Sequence, residues 1–476
     1  MDIVDILSIP EESQYIEFKR LDGKSVVKKI LETIVALVNT EGGKIILGVD
    51  DPEKTSLKGV DRVFGIEENP ELYDEVSQHL ENIHPSIGTL ISSEEIEVTS
   101  EKTIIIIHVS KSKEYLYSYL KKAYIRKRKS NLLLDPSQIL TFSYAKGFSH
   151  ADKELVEDVH FSLLDTQYYK DWMNSPQRRL SHVSIEDNLL SVGLARYNDH
   201  GVILPTRAAV LLFSEHPTYL METKSAIRIF QYLGKKESIT DKPNLLAKPI
   251  TIEGPLIDLI ARAHQEVLHL LQDGIMVPSG FVTKYKIPER AIKEAITNAI
   301  IHRDYHIKKD VEIRIFEDRV EIESPGLFPF NITKSNIGKV RSEGYRNHLL
   351  VKHLREFSSP PNLDQNEGIR AMRNEMFRNN LYPPVFVTYP DLDTSVKLIL
   401  TNEIKPSEWE KIYDYLVNHH PQYLDNPKAR EITGTVQRDR MSQILRSWVD
   451  QGLLERIPRD LNVKKHVRYK LSEDIS

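Results

Sequence analysis

The sequence predicts an α+β multidomain chain, and three observations predict it. Its 476 residues are about three times the ~150 of an ordinary domain. Strand-like apolar runs alternate with amphipathic helical segments as far as residue 404, and beyond Lys405 the pattern turns helical before closing in a short basic hairpin. A hydrophobic content of 40% suffices for more than one core. The changes of pattern divide the chain into residues 1–150, 151–285, 286–404 and 405–476.

The first domain opens with a short strand from Tyr15 to Lys19. Val26, Val27, Ile30, Ile34, Leu37 and Val38 then recur at helical spacing up to Asn39. Thr40-Glu41-Gly42-Gly43 ends that helix with glycines able to take positive φ, and the run Ile45 to Val49 reads as a buried strand. A second helix is predicted over Pro70 to Ile83, with strands at Ile96 to Val98 and Thr103 to Val109. The second domain carries GVILPTRAAVLLF and a helical segment from Leu256 to Leu271, and reads as a connecting α/β domain. The third begins with a helix from Pro288 through Ile301, followed by strands Val311 to Phe316 and Arg319 to Glu323 joined at Glu317-Asp318. In the fourth, one helix runs from Pro406 to Val417 and another follows Pro427. A third starts at Thr435 as N-cap, with Val436, Met441, Ile444, Leu445 and Trp448 facing inward.

Composition excludes several classes of function. There is no cysteine, hence no disulfide framework, thiolate zinc site or cysteine nucleophile. The opening MDIVDILSIPEE is acidic and lacks the basic stretch of a secretory signal, and no apolar run approaches the ~18 residues of a membrane span. A cytoplasmic protein with no membrane partner is expected. The net charge of −5 supplies no general attraction to a polyanion, so a nucleic-acid partner requires local basic patches.

Glu17 and Lys19 stand two apart on the first strand and leave it on the same face. Asp50 at the end of the next core strand, and Glu12 in the turn before the first, can approach them. Carboxylates so gathered can hold Mg2+ or Mn2+ for phosphodiester cleavage, with lysine stabilising the developing charge. The same spacing also suits an ordinary strand ion pair beside a polar turn. Lys121, Lys122, Tyr124, Arg126, Lys127, Arg128 and Lys129 form a run without an acid, able to contact phosphates and stack on a base, or to protect a sheet edge from aggregation.

EESQYIEFK, ALVNTEGGKIILGVDD and AYIRKRKSNLLLDPSQI, in that order, resemble the Schlafen-type AlbA domain over residues 1–145. The resemblance implies nucleic-acid binding and, in the Schlafen branch, a metal-dependent ribonuclease acting on transfer or ribosomal RNA through two glutamates and an aspartate. By motif position these are Glu12, Glu17 and Asp50. Relatives described as transcriptional regulators share the EFK segment, so regulation stays open beside cleavage.

Glu294 and Asn298 lie one turn apart on one helix face, a spacing that suits a water-polarising glutamate beside a magnesium-binding amide, or simply a solvated face. IPERAIKEAITNAIIHRDY, VEIRIFEDRVEIESPGLFP and RNHLLVKHL, with LPTRAAVLLFSEHP upstream, resemble the ATPase-like region of RecG-related bacterial regulators within the GHKL superfamily. That resemblance implies a GHKL-like α/β sandwich and ATP as cofactor. Glu294 then corresponds to the general base and Asn298 to the magnesium ligand, with His302, Arg303 and Asp304 near the phosphates. Ser324-Pro325-Gly326 stands where the superfamily recognises adenine, and Asn366-Glu367-Gly368 replaces a glycine-rich turn. Gly326 and Gly368 are the glycines retained there, while the added glutamate is expected to weaken triphosphate binding, so nucleotide sensing or a degenerate structural fold stays open beside turnover. No P-loop occurs.

On the last predicted helix Gln437, Arg438, Arg440, Gln443 and Arg446 line the outer side, and Arg456, Arg459, Lys464, Lys465 and Arg468 follow in the hairpin. Three helices and a basic hairpin resemble a winged helix, which suits DNA or RNA contacts, or dimerisation. Three functions are compatible with these features: a nucleotide-responsive DNA-binding regulator, a Schlafen-like RNA endonuclease of antiviral defence, and an ATP-driven switch without nucleic-acid contact. DNA or structured RNA is the expected partner, and self-association is expected.

Overall fold

The computed structural model describes residues 3–475, apart from 113–114, 137, 140–149, 176–182, 222, 239–243, 273, 277–281, 330, 335, 343, 362–367, 389–390, 420–421, 458–466 and 473–474. The fold is mixed α and β with several sheets. Two compact units divide the chain, Met1–Phe148 with Pro406–Glu473, and Ser149–Lys405 with Asp474–Ser476. No helix among the described residues is long and apolar enough to cross a membrane.

In the N-terminal part, strands Ile16–Lys19, Gly43–Leu47, Lys102–Val109 and Ile91–Thr99 form a sheet in that order. The first two are parallel, which demands a crossover, and the helix Ser25–Asn39 provides it. Its Ile30, Leu31, Ile34, Val35 and Val38 are fully buried, on the side of the sheet that receives Ile45 and Leu47. Phe18, Ile46, Ile104 and Ile106 pack on the other side with Ile6 and Val49. Burial on both sides explains an unbroken apolar run in place of alternation.

The VNTEGG segment joins this helix to its strand through satisfied polar groups. Buried Asn39 donates through Nδ2 to the carbonyls of Tyr117 and Tyr124 at 2.8 and 2.9 Å, and its Oδ1 accepts from Tyr117 N–H at 2.8 Å. Thr40 Oγ1 donates to Ala36 O and accepts from Arg126 N–H. At Gly43, φ is +156° and a Cβ would lie 2.5 Å from Tyr15 O, so a side chain would force the two parallel strands apart.

The second unit is organised by a six-stranded sheet, ordered Ile250–Ile252, Ile227–Gln231, Val311–Ile315, Arg319–Pro325, Ser395–Thr401 and Val385–Val387. Ile227–Gln231 and Val311–Ile315 pair in parallel, so the sheet takes strands from either side of residue 285, where the sequence suggested a boundary. The helices Leu256–Gln272 and Glu289–Ile301 pack together in one core with it, Ile292, Ala295, Ile296 and Ile300 facing inward. The face of Glu289–Ile301 that carries Glu294 and Asn298 lines a cavity that Ile322, Ser324 and Leu398 of the sheet also line.

The C-terminal part has helices Ser407–Asn418, Asn426–Thr433 and Arg438–Asp450, then antiparallel strands Leu454–Ile457 and Arg468–Leu471. Trp409 and Trp448 meet edge to face at 5.1 Å over buried Ile412, Met441 and Leu445. The last helix begins at Arg438, not at Thr435. Gly434 closes the preceding helix in the left-handed conformation and Thr435 Oγ1 is hydrogen-bonded to Thr433 Oγ1, so Thr435 belongs to the turn and caps nothing. Val436, expected inward, is consequently 87% exposed.

Candidate functional sites

The first strand brings Glu12, Glu17 and Lys19 together. Lys19 Nζ is hydrogen-bonded to Glu17 Oε1 and lies 3.8 Å from Glu12 Oε1. Arg126, from the basic run, reaches across to pair with Glu17 Oε2 in a buried contact. Glu12 Oε1 accepts the Phe18 N–H at 2.9 Å. Burial, with the Glu17 and Asp51 carboxylates nearby, pushes the Glu12 pKa up. Asp50 is not part of this group: its carboxylate lies 3.8 Å from Arg20 Nη1. Its neighbour Asp51 stands closer, bonded at 2.6 Å to Lys54 Nζ, which is 3.9 Å from Glu12 Oε2. Asp51, Lys54 and the role of Arg126 were missed in the sequence. The Asp50-Asp51 pair was the available signal, since consecutive side chains of extended backbone leave on opposite sides.

Among the described residues no three His, Asp or Glu side chains converge on one point suited to a metal. The inward carboxylates are instead bridged by ammonium and guanidinium groups. Glu12 and Glu17 are oxygen donors that suit Mg2+ or Mn2+, but a cation between them would have to take the place of Lys19.

The basic run is split by the fold. Tyr124 is buried, donates from its hydroxyl to Glu32 Oε1 at 2.9 Å and is pushed up to about 12, chiefly by burial; it offers no stacking face. Arg126 is internal, and Lys129 pairs with Glu53 at 2.7 Å. Lys121, Lys122 and Arg128 are exposed and Lys127 is half-buried.

In the second unit Glu294, Asn298 and His302, on successive turns of one helix, line a cavity of about 740 Å³. That volume lies within the roughly 300–1,000 Å³ of small-molecule sites. Gly368 begins the helix Gly368–Arg378 directly against them: a Cβ there would meet Glu294 Oε2 at 2.7 Å and Asn298 Nδ2 at 3.2 Å. Asn298 Nδ2 and His302 Nδ1 are buried without a hydrogen-bond partner. Burial and then Arg346 push the His302 imidazole down to about 4, leaving it neutral, and its ring stacks on Tyr345 at 5.8 Å. Gly326 also lines the cavity; at φ +110° it leaves room for Arg346 Nη1, which a Cβ would approach to 2.3 Å.

Arg303 and Asp304 do not face the cavity. Arg303 is buried and donates to the carbonyls of Lys224 and Lys309 at 2.9 and 2.8 Å. Asp304 accepts from His306 Nδ1 at 2.9 Å, while His306 Nε2 lies 2.8 Å from Glu154 Oε1 and Arg207 pairs with Glu154 Oε2. Burial opposes charging of His306, but its two carboxylate partners prevail and raise it to about 9. Asn366 and Glu367 lie outside the described residues. In the C-terminal part Gln437, Arg438, Arg440, Gln443 and Arg446 are exposed, with Arg440 3.6 Å from Glu408, and Lys464 and Lys465 lie outside the described residues.

Comparison with known families finds two matches, one in each unit. Residues 12–135 match the family described as Schlafen, AlbA_2, and residues 308–400 match "Putative ATP-dependent DNA helicase recG C-terminal". The chain thus carries, in order, a segment similar to Schlafen AlbA_2 domains and a segment similar to the RecG-related C-terminal region. The helix with Glu294 and Asn298 precedes the RecG-related match. No curated protein matches the sequence. Among solved structures, the DIP2311 protein from Corynebacterium diphtheriae is 14% identical, with 96% of this chain and 95% of that one covered and a TM-score of 0.41. The N-terminal domain of a RecG-related protein from Nitrosomonas europaea is 22% identical, with 23% of this chain and 71% of that one covered and a TM-score of 0.18. The Schlafen AlbA_2 and RecG-related matches point to a nucleic-acid partner and a nucleotide.

Two predictions follow from the ion pairs. Glu17→Ala leaves Arg126 buried without a counter-charge, which costs about 3–5 kcal/mol; chemical denaturation of the full chain should show unfolding of residues 12–135, monitored by hydrogen exchange, shifted to lower denaturant, and an unshifted transition contradicts the pairing. His306 has a folded-state pKa above its ordinary 6.5, so its stabilising contribution is complete below pH 6.5 and is lost as pH rises through about 9. Thermal melting from pH 6.5 to 9 should fall in the wild type, and His306→Gln should flatten that dependence.

Proposed function

We propose that the chain is a nucleotide-responsive regulator that binds nucleic acid, with the cavity beside Glu294 receiving ATP. The observation that carries the reading is the Asn298 amide, buried without a partner on the cavity wall. A buried amide without a partner costs free energy unless a ligand satisfies it. In this reading the unit holding the cavity is a GHKL-like α/β sandwich. The amide serves as donor to a phosphate or, turned about its last bond so that its oxygen faces the cavity, as acceptor to a cation. Magnesium, when bound with the triphosphate, would neutralise phosphate charge there. Glu294 holds and orients a water, and Gly368 permits backbone to approach where a side chain would block.

DNA contact is assigned to the C-terminal part, read as a winged helix. Gln437, Arg438, Gln443 and Arg446 project from the last helix, with donors suited to base edges and phosphates. Lys121 and Lys122 add positive charge on the AlbA_2 domain. This local charge is what an otherwise acidic chain needs to hold a polyanion.

A Schlafen-type metal-dependent RNA endonuclease is a second reading, favoured by the buried approach of Glu12 to Glu17 beside Lys19. Here Asp51 is a nearer third carboxylate than Asp50.

Gel retardation of duplex DNA at increasing salt tests the first reading. Replacing Arg438 and Arg446 with alanine should lower the slope of log affinity against log salt by about 0.9 for each lost phosphate contact; an unchanged slope removes the helix from the interface. Incubation with transfer RNA and Mn2+ tests the second, using Glu12→Gln because Glu17 holds Arg126 in place. Cleavage by the wild type that is lost in the variant selects the nuclease, whereas DNA retention without cleavage selects the regulator.

A further inference from the structure

The helix His348–Leu354 turns one side toward the same cavity, and His348, Lys352 and Arg355, spaced by four and three residues, all line it. All three are exposed rather than held in the core. Among the described residues Lys352 and His348 make no side-chain hydrogen bond or ion pair, in a chain where many other lysines and arginines are matched with carboxylates. Arg355 is positioned by Tyr345: its guanidinium lies 5.8 Å from the ring centroid and Nη2 donates to the hydroxyl at 3.3 Å. Tyr345 in turn stacks on His302, whose buried Nδ1 has no partner. Cationic side chains and two unsatisfied polar atoms, Asn298 Nδ2 and His302 Nδ1, thus share the lining of one cavity with apolar residues such as Ile322, Phe328 and Leu398.

We propose that Lys352, Arg355 and His348 form a polyphosphate-binding rim of this cavity. Resting on the nucleotide reading above, the proposal assigns recognition of the phosphate chain to a helix outside the Glu294–Asn298 motif. Lysine supplies a mobile point charge and arginine a fixed fork of donors, two complementary ways to hold a phosphate chain. Neutral His302 lies one turn beyond Asn298, so the two unsatisfied groups extend the site along the wall. The apolar lining accepts the uncharged part of the ligand without requiring a particular base. The chemistry recognised is a linear polyphosphate, either free or carried by a nucleoside.

The test is titration calorimetry on the full chain with Mg-ATP, AMP and inorganic tripolyphosphate, comparing wild type with Lys352→Ala/Arg355→Ala. Charge-assisted hydrogen bonds of this kind should make the double variant weaker toward ATP and tripolyphosphate by about tenfold or more. AMP binding should change little, and because the replaced side chains are exposed, the ligand-free melting temperature should not move. Tripolyphosphate binding that survives in the wild type without the nucleoside identifies the chain itself as the recognised group. Wild-type affinity for ATP in the double variant overturns the rim while leaving the nucleotide reading intact. Failure of the wild type to bind either ATP or tripolyphosphate overturns both.

Discussion

The close approach of two helices sets the geometry of the central site. The first residue of Gly368–Arg378 lies so near Glu294 and Asn298 that a Cβ would come within 2.7 Å of a carboxylate oxygen. This contact brings backbone up to the polar face of Glu289–Ile301, while Ile292, Ile296 and Ile300 hold the other face in the core. The helix cannot turn without losing one set of contacts or the other, so Glu294, Asn298 and His302 stay directed into the cavity. Two buried polar atoms remain there without protein partners, a cost that folding alone does not explain.

Charge is handled differently in the N-terminal domain. Six basic residues between 121 and 129 look like one patch when written out, but folding separates them. Arg126 goes inside to neutralise Glu17, Lys129 is matched by Glu53, and Tyr124 spends its hydroxyl on Glu32. The surface charge left is smaller than the sequence suggests, and much of the run contributes to structure. The acids behave similarly: Glu12 and Glu17 are spanned by Lys19, so their carboxylates are held in an internal ion-pair network.

Periodicity made the main elements legible. The crossover helix, the strand at Ile45, the helix ending at Ile301 and the hairpin at Glu317-Asp318 follow from apolar spacing and turn residues. What escaped was decided by partners distant in sequence. Ile227–Gln231 pairs with Val311–Ile315 across some eighty residues, a register that no local pattern reveals. Thr435 resembles an N-cap until Gly434 and Thr433 assign it to a turn. Arg303 and Asp304 are next to His302 in the chain, yet backbone carbonyls and His306 draw them away from the cavity. Lys352 and Arg355 had no motif to mark them, and only the facing of their helix connects them with Asn298.

Hydrogen exchange on the full chain with and without Mg-ATP tests the central claim, that the cavity is a nucleotide site closed by Gly368–Arg378. The account predicts slower exchange in the amides of Glu289–Ile301 and Gly368–Arg378 when nucleotide is present. Unchanged exchange in both helices at saturating nucleotide would contradict it.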